Sequence, residues 1–529
     1  MAVAPKPVAQ TPAHDTLEFS AARKWVIAVS VMLGTVLEVL DSSIVNVSLP
    51  HMQGSFSASV DEIAWVVTSY LVAAGIMIPM TGWIAERFGR KRYFIISIVM
   101  FVAASALCGV AQSLNQIVFF RLLQGAAGAA MMPLSQAILM ETFPPREQAM
   151  AMAVWGIGMM VAPIMGPTVG GWITDAWSWR WNFYINVPIG TMAAFMVWRF
   201  VDDPPYMRAR RRGKVDFLGI LCLFITLGLG EIVLDRGERS DWFQSPWVVW
   251  CSAAAIGSLI VLIVHELRTE DPVVDLRILE DRRFTLPIVL IIFLTFTLYG
   301  TAILNPIFLQ ELMGYTASKA GLAMAPRGVG TMFSMIILGS LARRGVDIRP
   351  LVGIGFVMVA YAMWEMSGLN LQSDTFRVIW PMVVQGAGTG LIFPGLSAAA
   401  LGSMEKFKMQ RAASLYSVTR NLGAAIGTSY LTTLLIHREQ VRQSYLVEHV
   451  SVFTLPRMRM PGAAGANLAN DIAMGHRHGI AMVYGMIQRQ AMMLAFNDIY
   501  RMLAVLMLIL VPTFLFLQRD RRNLPVHAE

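Results

Sequence analysis

The chain has 529 residues, of which 56% are hydrophobic and 14% charged, with a formal net charge of +8 at pH 7. Soluble globular chains carry about a quarter charged residues, so the composition excludes an ordinary soluble protein and implies a polytopic membrane protein. The positive balance does not indicate nucleic acid, because the basic residues are distributed between apolar runs in the alternating manner that membrane topology imposes.

The first 22 residues are polar and Pro-rich, with no small-residue cleavage site after a short apolar region, so no removable signal peptide is expected. Apolar runs long enough to cross a bilayer need about 20 residues, and about fourteen follow. They begin near Trp25, Ile63, Tyr93, Leu114, Ala149, Phe183, Phe217, Val248, Leu286, Gly321, Leu351, Val378, Ala412 and Phe496. Alternate loops are basic: Arg87, Arg90, Lys91 and Arg92; Arg208, Arg210, Arg211, Arg212 and Lys214; Arg343, Arg344 and Arg349; Lys406, Lys408 and Arg411; Arg519, Arg521 and Arg522. The positive-inside rule makes these loops and both termini cytoplasmic. Cys108, Cys222 and Cys251 fall within apolar runs without paired spacing and read as packing residues.

Glu38 and Asp41 lie in the first run, about a helical turn apart on one face. An ionisable side chain at membrane depth costs roughly 2.5–3.5 kcal/mol on insertion scales, so such groups usually face a bundle interior or a wet cavity. Both are candidate proton sites. Arg121 opens the fourth run, and its guanidinium cannot readily release a proton. Its expected role is to modulate a neighbouring acid, with Asp41 the favoured partner.

Gly82 to Arg92 closes the second run and opens the third. Gly82 and Gly89 permit close approach and turning, and Glu86 among Arg87 and Arg90 suggests a latch that pairs with a nearby arginine or a helix N-terminus. Gly156, Pro163, Gly166, Pro167 and Gly170 crowd into the fifth run and suggest a hinge and a tight seam between two halves.

The chain also echoes itself at a displacement of about 260 residues. Gly82 to Arg92 is echoed by Gly339 to Arg349, Gln124 and Pro133 by Gln385 and Pro394, and Asn46 by Asn305. Two homologous six-helix bundles follow, with the Phe217 and Val248 runs left over as an inserted hairpin of packing or linking character. At these offsets Asp41 falls opposite Gly300, Glu38 opposite Thr297 and Arg121 opposite Met382, which concentrates ionisable chemistry in the first half. Asn46, Gln124, Gln136, Asn305, Arg327, Gln385 and Arg420 are candidate cavity residues.

The expected organisation is an N-terminal cytoplasmic tail (1–23), a first six-helix bundle (24–202) and a basic linker with two extra helices (203–270). A second six-helix bundle (271–518) contains a long periplasmic loop (437–490), and a short tail (519–529) ends the chain. His437, His449, His476 and His478 in or near that loop have no dependable metal-site spacing. Neither a phosphate-binding loop nor the motifs of common hydrolases occur, so ATP-driven transport and membrane enzymology are disfavoured.

The ordered segments Val39 to Pro50, Gly82 to Arg92, Arg121 to Ala130, Gly156 to Gly171 and Trp179 to Gly190 resemble signatures of the major facilitator superfamily, in particular its fourteen-helix EmrB/QacA drug:proton antiporters. Leu234 to Trp242, Pro272 to Arg277 and Ser414 to Gly423 resemble the EmrB branch. The resemblance implies an all-α major facilitator fold in a bacterial inner membrane, exporting lipophilic or amphipathic molecules against inward proton flow, with no cofactor. It further implies a periplasmic membrane-fusion adaptor and a TolC-like outer-membrane channel as partners, with the long loop as the docking region. Asp41 matches the family's first-span acid and Arg121 its fourth-span arginine. Glu38 stands where relatives often carry a neutral residue, and Glu86 replaces the common aspartate.

Overall fold

The computed structural model describes residues 20–203, 216–237, 240–269, 272–405, 408–449 and 477–517. The N-terminal tail, the linker residues Arg208, Arg210, Arg211, Arg212 and Lys214, together with Lys406, His476, Arg519, Arg521 and Arg522, lie outside the described residues. So does most of the long loop.

The first bundle comprises α1 (Ala21–Phe56), α2 (Val60–Met77), α3 (Thr81–Phe88), α4 (Arg90–Val110), α5 (Leu114–Gly128), α6 (Met131–Thr142), α7 (Pro145–Ala176), α8 (Trp181–Tyr184) and α9 (Asn186–Phe200). The inserted hairpin is α10 (Phe217–Arg236) and α11 (Pro246–Arg268). The second bundle comprises α12 (Arg282–Ile307), α13 (Ala317–Arg343), α14 (Ile348–Met366), α15 (Thr375–Gly402), α16 (Met409–Glu448) and α17 (Arg477–Leu510). Among the described residues, eleven helical stretches are long and apolar enough to cross a membrane. The α7, α8–α9 and α16 stretches, at the remaining three apolar runs, pack among them.

Short polar loops start and stop these helices. Ser59 and Glu62 form a reciprocal capping box at α2, and Ser113, Asp216, Asp281 and Thr316 accept from first-turn amides of α5, α10, α12 and α13. Pro145 and Pro246 occupy first helical positions, where a missing N–H is harmless. Gly89, at φ +92°, turns the chain between α3 and α4.

The outward faces of α4, α10 and α11 expose large apolar side chains, including Ile96, Met100, Phe224, Trp250 and Ile260, to the lipid. Polar side chains turn inward instead: Asp41, Arg121, Gln124, Gln136, Asn186, Gln385 and Arg420 are all buried.

The duplication is visible in the packing. Gly125 follows Gln124 and lies against the Tyr70 carbonyl of α2; Gly386 follows Gln385 and lies against the Arg327 carbonyl of α13. A methyl group at either glycine would overlap that carbonyl oxygen. The same small-residue contact therefore joins the corresponding helix pair in each bundle.

The hairpin packs its α10 face on α2, where Gly228 meets Ile76, and fixes its tip to both bundles. Thr68 donates to Asp235 at 2.6 Å and Arg236 stacks over Trp65 at 4.5 Å, while Trp242 donates to Thr433 of α16 at 3.2 Å. The flanks of the long loop are helical continuations of α16 and α17, clasped by Arg442 to Asp498 at 2.8 and 2.9 Å.

Candidate functional site

Asp41 is fully buried in α1. Arg121 Nη1 donates to Asp41 Oδ2 at 2.6 Å, Gln124 Nε2 to Oδ1 at 2.9 Å and Asn186 Nδ2 to Oδ1 at 2.6 Å. Arg121 also donates to the Val66 carbonyl at 3.1 Å and to Gln124 Oε1 at 2.8 Å, and its guanidinium lies 4.1 Å from the Tyr70 ring centroid. α1, α2, α5 and α9 thus converge on the Asp41–Arg121 pair. All these neighbours of Asp41 donate, the arrangement that an ionised carboxylate, an acceptor only, requires. Arg121 is 1% exposed, which places it in the bundle interior and not at the interface.

Gln124, a candidate cavity residue, has both ends of its amide engaged in this network. Asn186 and Tyr70 were not singled out from sequence. Asn186 lies within the Trp179 to Gly190 segment, but its function as a donor to Asp41 depends on how α9 is rotated against α1.

The second bundle holds the uncharged counterpart. Gln385 Nε2 donates to Thr301 Oγ1 at 2.9 Å, so Thr301, one residue beyond the expected Gly300, occupies the place of Asp41. Gly300 packs against Leu431 and the Gly427 carbonyl of α16. Met382, opposite Arg121, is fully buried. Asn305 accepts from Tyr500 at 2.6 Å, and Arg327 donates to the Leu298 carbonyl at 3.2 Å. Asn46 is exposed.

A row of residues on α16, three apart, meets the first bundle from the arginine-rich face inward. Arg411 clasps Glu86 of α3, with Nε 3.0 Å from both carboxylate oxygens and Nη2 2.9 Å from Oε2. Ser414 shares a 2.7 Å hydrogen bond with Thr81, and Ser417 contacts Gln136 Oε1 at 3.5 Å. Arg420 comes next and bears electrostatically on Glu38. Glu38 Oε2, Gln136 Nε2, and Arg420 Nε and Nη1 are buried without a hydrogen-bond partner among the described residues.

Glu86 is therefore latched to an arginine of the other bundle. Arg87 stacks on Trp83 at 5.3 Å, and Arg90 pairs with Glu141 at 2.8 Å inside its own bundle. Gly82 sits where an added Cβ would lie 2.9 Å from the Arg411 Cα, so the latch requires a residue without a side chain there. Lys91 N–H donates to Asp203 at 2.7 Å beside Gly89. Asp275, 3.7 Å from Arg411, was missed in the sequence because the pairing joins segments far apart in the chain.

The α7 glycines divide in two. Gly156 packs against Met335 of α13 across the seam between bundles, and Trp155 stacks with Phe393 of α15 at 6.2 Å. Gly166 and Gly170 instead pack on Ser43 and Ile44 of α1 within their own bundle, which corrects the expectation of a seam along the whole segment. Pro163 and Pro167 lie within the unbroken helix; their side chains are outside the described residues. Glu231 of α10, half-buried beside Asp235, is a further intramembrane acid not singled out from sequence. Among the described residues, no cluster of three potential metal ligands occurs.

The sequence model of the Major Facilitator Superfamily matches residues 31–428. The Multidrug export protein EmrB of Escherichia coli (strain K12) is 35% identical over 488 residues, covering 92% of this chain and 94% of that protein. The Fatty acid resistance protein FarB of Neisseria gonorrhoeae is 34% identical, covering 93% and 95%. Among solved structures, the human organic anion transporter MFSD10 superposes with a TM-score of 0.59 at 14% identity, covering 92% of this chain and 99% of that one. The proton:xylose symporter XylE superposes with a TM-score of 0.58 at 14% identity, covering 93% and 97%. With its two bundles, inserted hairpin and extent of similarity, the chain is a multi-pass membrane protein that belongs to the Major Facilitator Superfamily, in its EmrB-like branch.

Proposed function

We propose that this protein exports lipophilic or amphipathic small molecules from the bacterial cytoplasm across the inner membrane, driven by protons entering through Asp41. The observation that carries this reading is the buried Asp41 carboxylate, held by donors from α5 and α9 and placed one helical turn from Glu38. A proton there removes the charge that orders Arg121, Gln124 and Asn186, so protonation biases the packing of α1 against α5 and α9. Substrate and proton then favour different arrangements of the bundles, and each drives the other's release. One charge crossing 100 mV supplies roughly 2.3 kcal/mol, enough for about a fiftyfold gradient.

The arginine-rich face, with both termini, is the cytoplasmic one. The Glu86–Arg411 latch then closes the cytoplasmic side in this conformation. On the opposite side, the helical extensions joined by Arg442 and Asp498 form the platform on which a periplasmic adaptor of a tripartite exporter docks, leading to a TolC-like channel. The similarity to EmrB and FarB supports drug-like and fatty-acid-like cargo.

The test is substrate-dependent proton release from energised inverted vesicles over a panel of lipophilic compounds. Wild type responds and Asp41→Asn, at equal expression, does not. A normal response from Asp41→Asn would remove Asp41 from the proton path, and uptake driven by the opposite gradient would make the protein an importer.

A further inference from the structure

Glu86 with Arg411, Thr81 with Ser414 and Gln136 with Ser417 close three successive contacts between the bundles. The next pair, Glu38 and Arg420, faces across the same seam without a shared hydrogen bond. Arg420 is 4% exposed, and its Nη2 reaches only the side chain of its neighbour Asn421 at 3.3 Å, which leaves Nε and Nη1 unpaired. A buried guanidinium with idle donors is costly unless a partner completes it. Gln136, one helical turn away through Ser417, presents an equally unpaired Nε2.

The charge balance at this depth selects the partner's sign. Asp41 and Arg121 neutralise each other in their ion pair. Glu38 opposes Arg420, and Arg327, with Leu298 as its hydrogen-bond acceptor, adds a further positive charge on the second bundle. Net positive charge and three idle N–H-bearing atoms suit an anion, and the forked geometry of a guanidinium suits a planar one.

We propose that Arg420, assisted by the Gln136 amide, binds the carboxylate or phenolate head of an amphipathic organic acid. Glu38, whose Oε2 is buried without a partner, is the group that this head group competes with for Arg420. The inference takes the direction of transport from the export reading, but recognition of the anion stands on Arg420 alone. Selection among cargoes is thus set by a residue of the second bundle, while the proton site lies in the first.

Binding is measured on the full-length protein in neutral-lipid nanodiscs, without any gradient, using 2-naphthoate and its uncharged analogue 2-naphthamide. Wild type binds the carboxylate more tightly than the amide. Arg420→Gln weakens carboxylate binding by about tenfold, the scale of a lost charge-assisted hydrogen bond, and leaves amide binding within about twofold. Arg420→Lys is intermediate, because it keeps the charge and loses the fork. Glu38→Gln tightens carboxylate binding severalfold, a gain that a damaged fold would not give. Equal weakening of both probes in Arg420→Gln, or no preference for the anion in wild type, overturns the proposal. Arg420-dependent binding in a protein that releases no protons would instead overturn the export reading alone.

Discussion

Gln385 donates to Thr301 Oγ1 at 2.9 Å, the same distance at which Gln124 donates to Asp41 Oδ1. One bundle thus contains, in neutral form, the hydrogen bond that the other uses to hold a carboxylate. Met382, fully buried, stands in the second bundle where Arg121 stands in the first.

This pairing predicts the outcome of making the first bundle neutral. Removing one partner of a buried ion pair is expected to cost about 3–5 kcal/mol, whereas replacing both with well-packed groups is often close to neutral. Arg121→Met alone therefore lowers the thermal transition of the purified protein strongly. Asp41→Thr combined with Arg121→Met, copying Thr301 and Met382, restores most of that loss and still shows no substrate-dependent proton release. A double variant no more stable than Arg121→Met would show that the two bundles do not share this design.

The latch makes a separate prediction. Gly82→Val places a branched side chain against the Arg411 backbone, where a Cβ alone would be 2.9 Å from Cα. The expected result is export below about a tenth of wild type, an effect of more than 1.4 kcal/mol. Cysteines placed near the latch on the arginine-rich face become more reactive to a membrane-impermeant maleimide. Unchanged labelling would mean that the bundles close without this contact.

Gly125 and Gly386 carry equivalent carbonyl contacts, to Tyr70 and to Arg327. Alanine at either position overpacks a helix pair and is expected to cost about 1–3 kcal/mol. The two losses add, since the sites lie in different bundles. Thermal denaturation in detergent checks both values, and tolerance of either alanine without a shift would show that the helix pair separates at no cost.

At the hairpin tip, Trp242→Phe removes the 3.2 Å hydrogen bond to Thr433 while keeping an aromatic ring. Its net contribution is about 1 kcal/mol, so amide exchange at Leu234–Arg236 rises by about fivefold while exchange at Asp41 is unchanged. Equal acceleration at both sites would mean that the hairpin supports the whole bundle and not just its own tip.

The membrane class, the succession of apolar runs, the arginine-rich face and the approximate duplication were legible in the order of residues. These are properties of composition and periodicity along the chain, and lipid enforces them residue by residue. The sequence also marked Asp41, Glu38, Arg121 and Glu86, because an ionisable side chain in an apolar run is costly wherever the run packs. The tertiary structure alone decided their partners. Arg411 of the other bundle closes on Glu86, Asn186 reaches Asp41 from α9, and Thr301 rather than Gly300 replaces the aspartate. Gly166 and Gly170 turn to α1, and Arg420 is left with unpaired donors opposite Glu38. Each of these outcomes depends on how a helix is rotated about its axis and which helix from elsewhere in the chain lies beside it, and no local pattern encodes either.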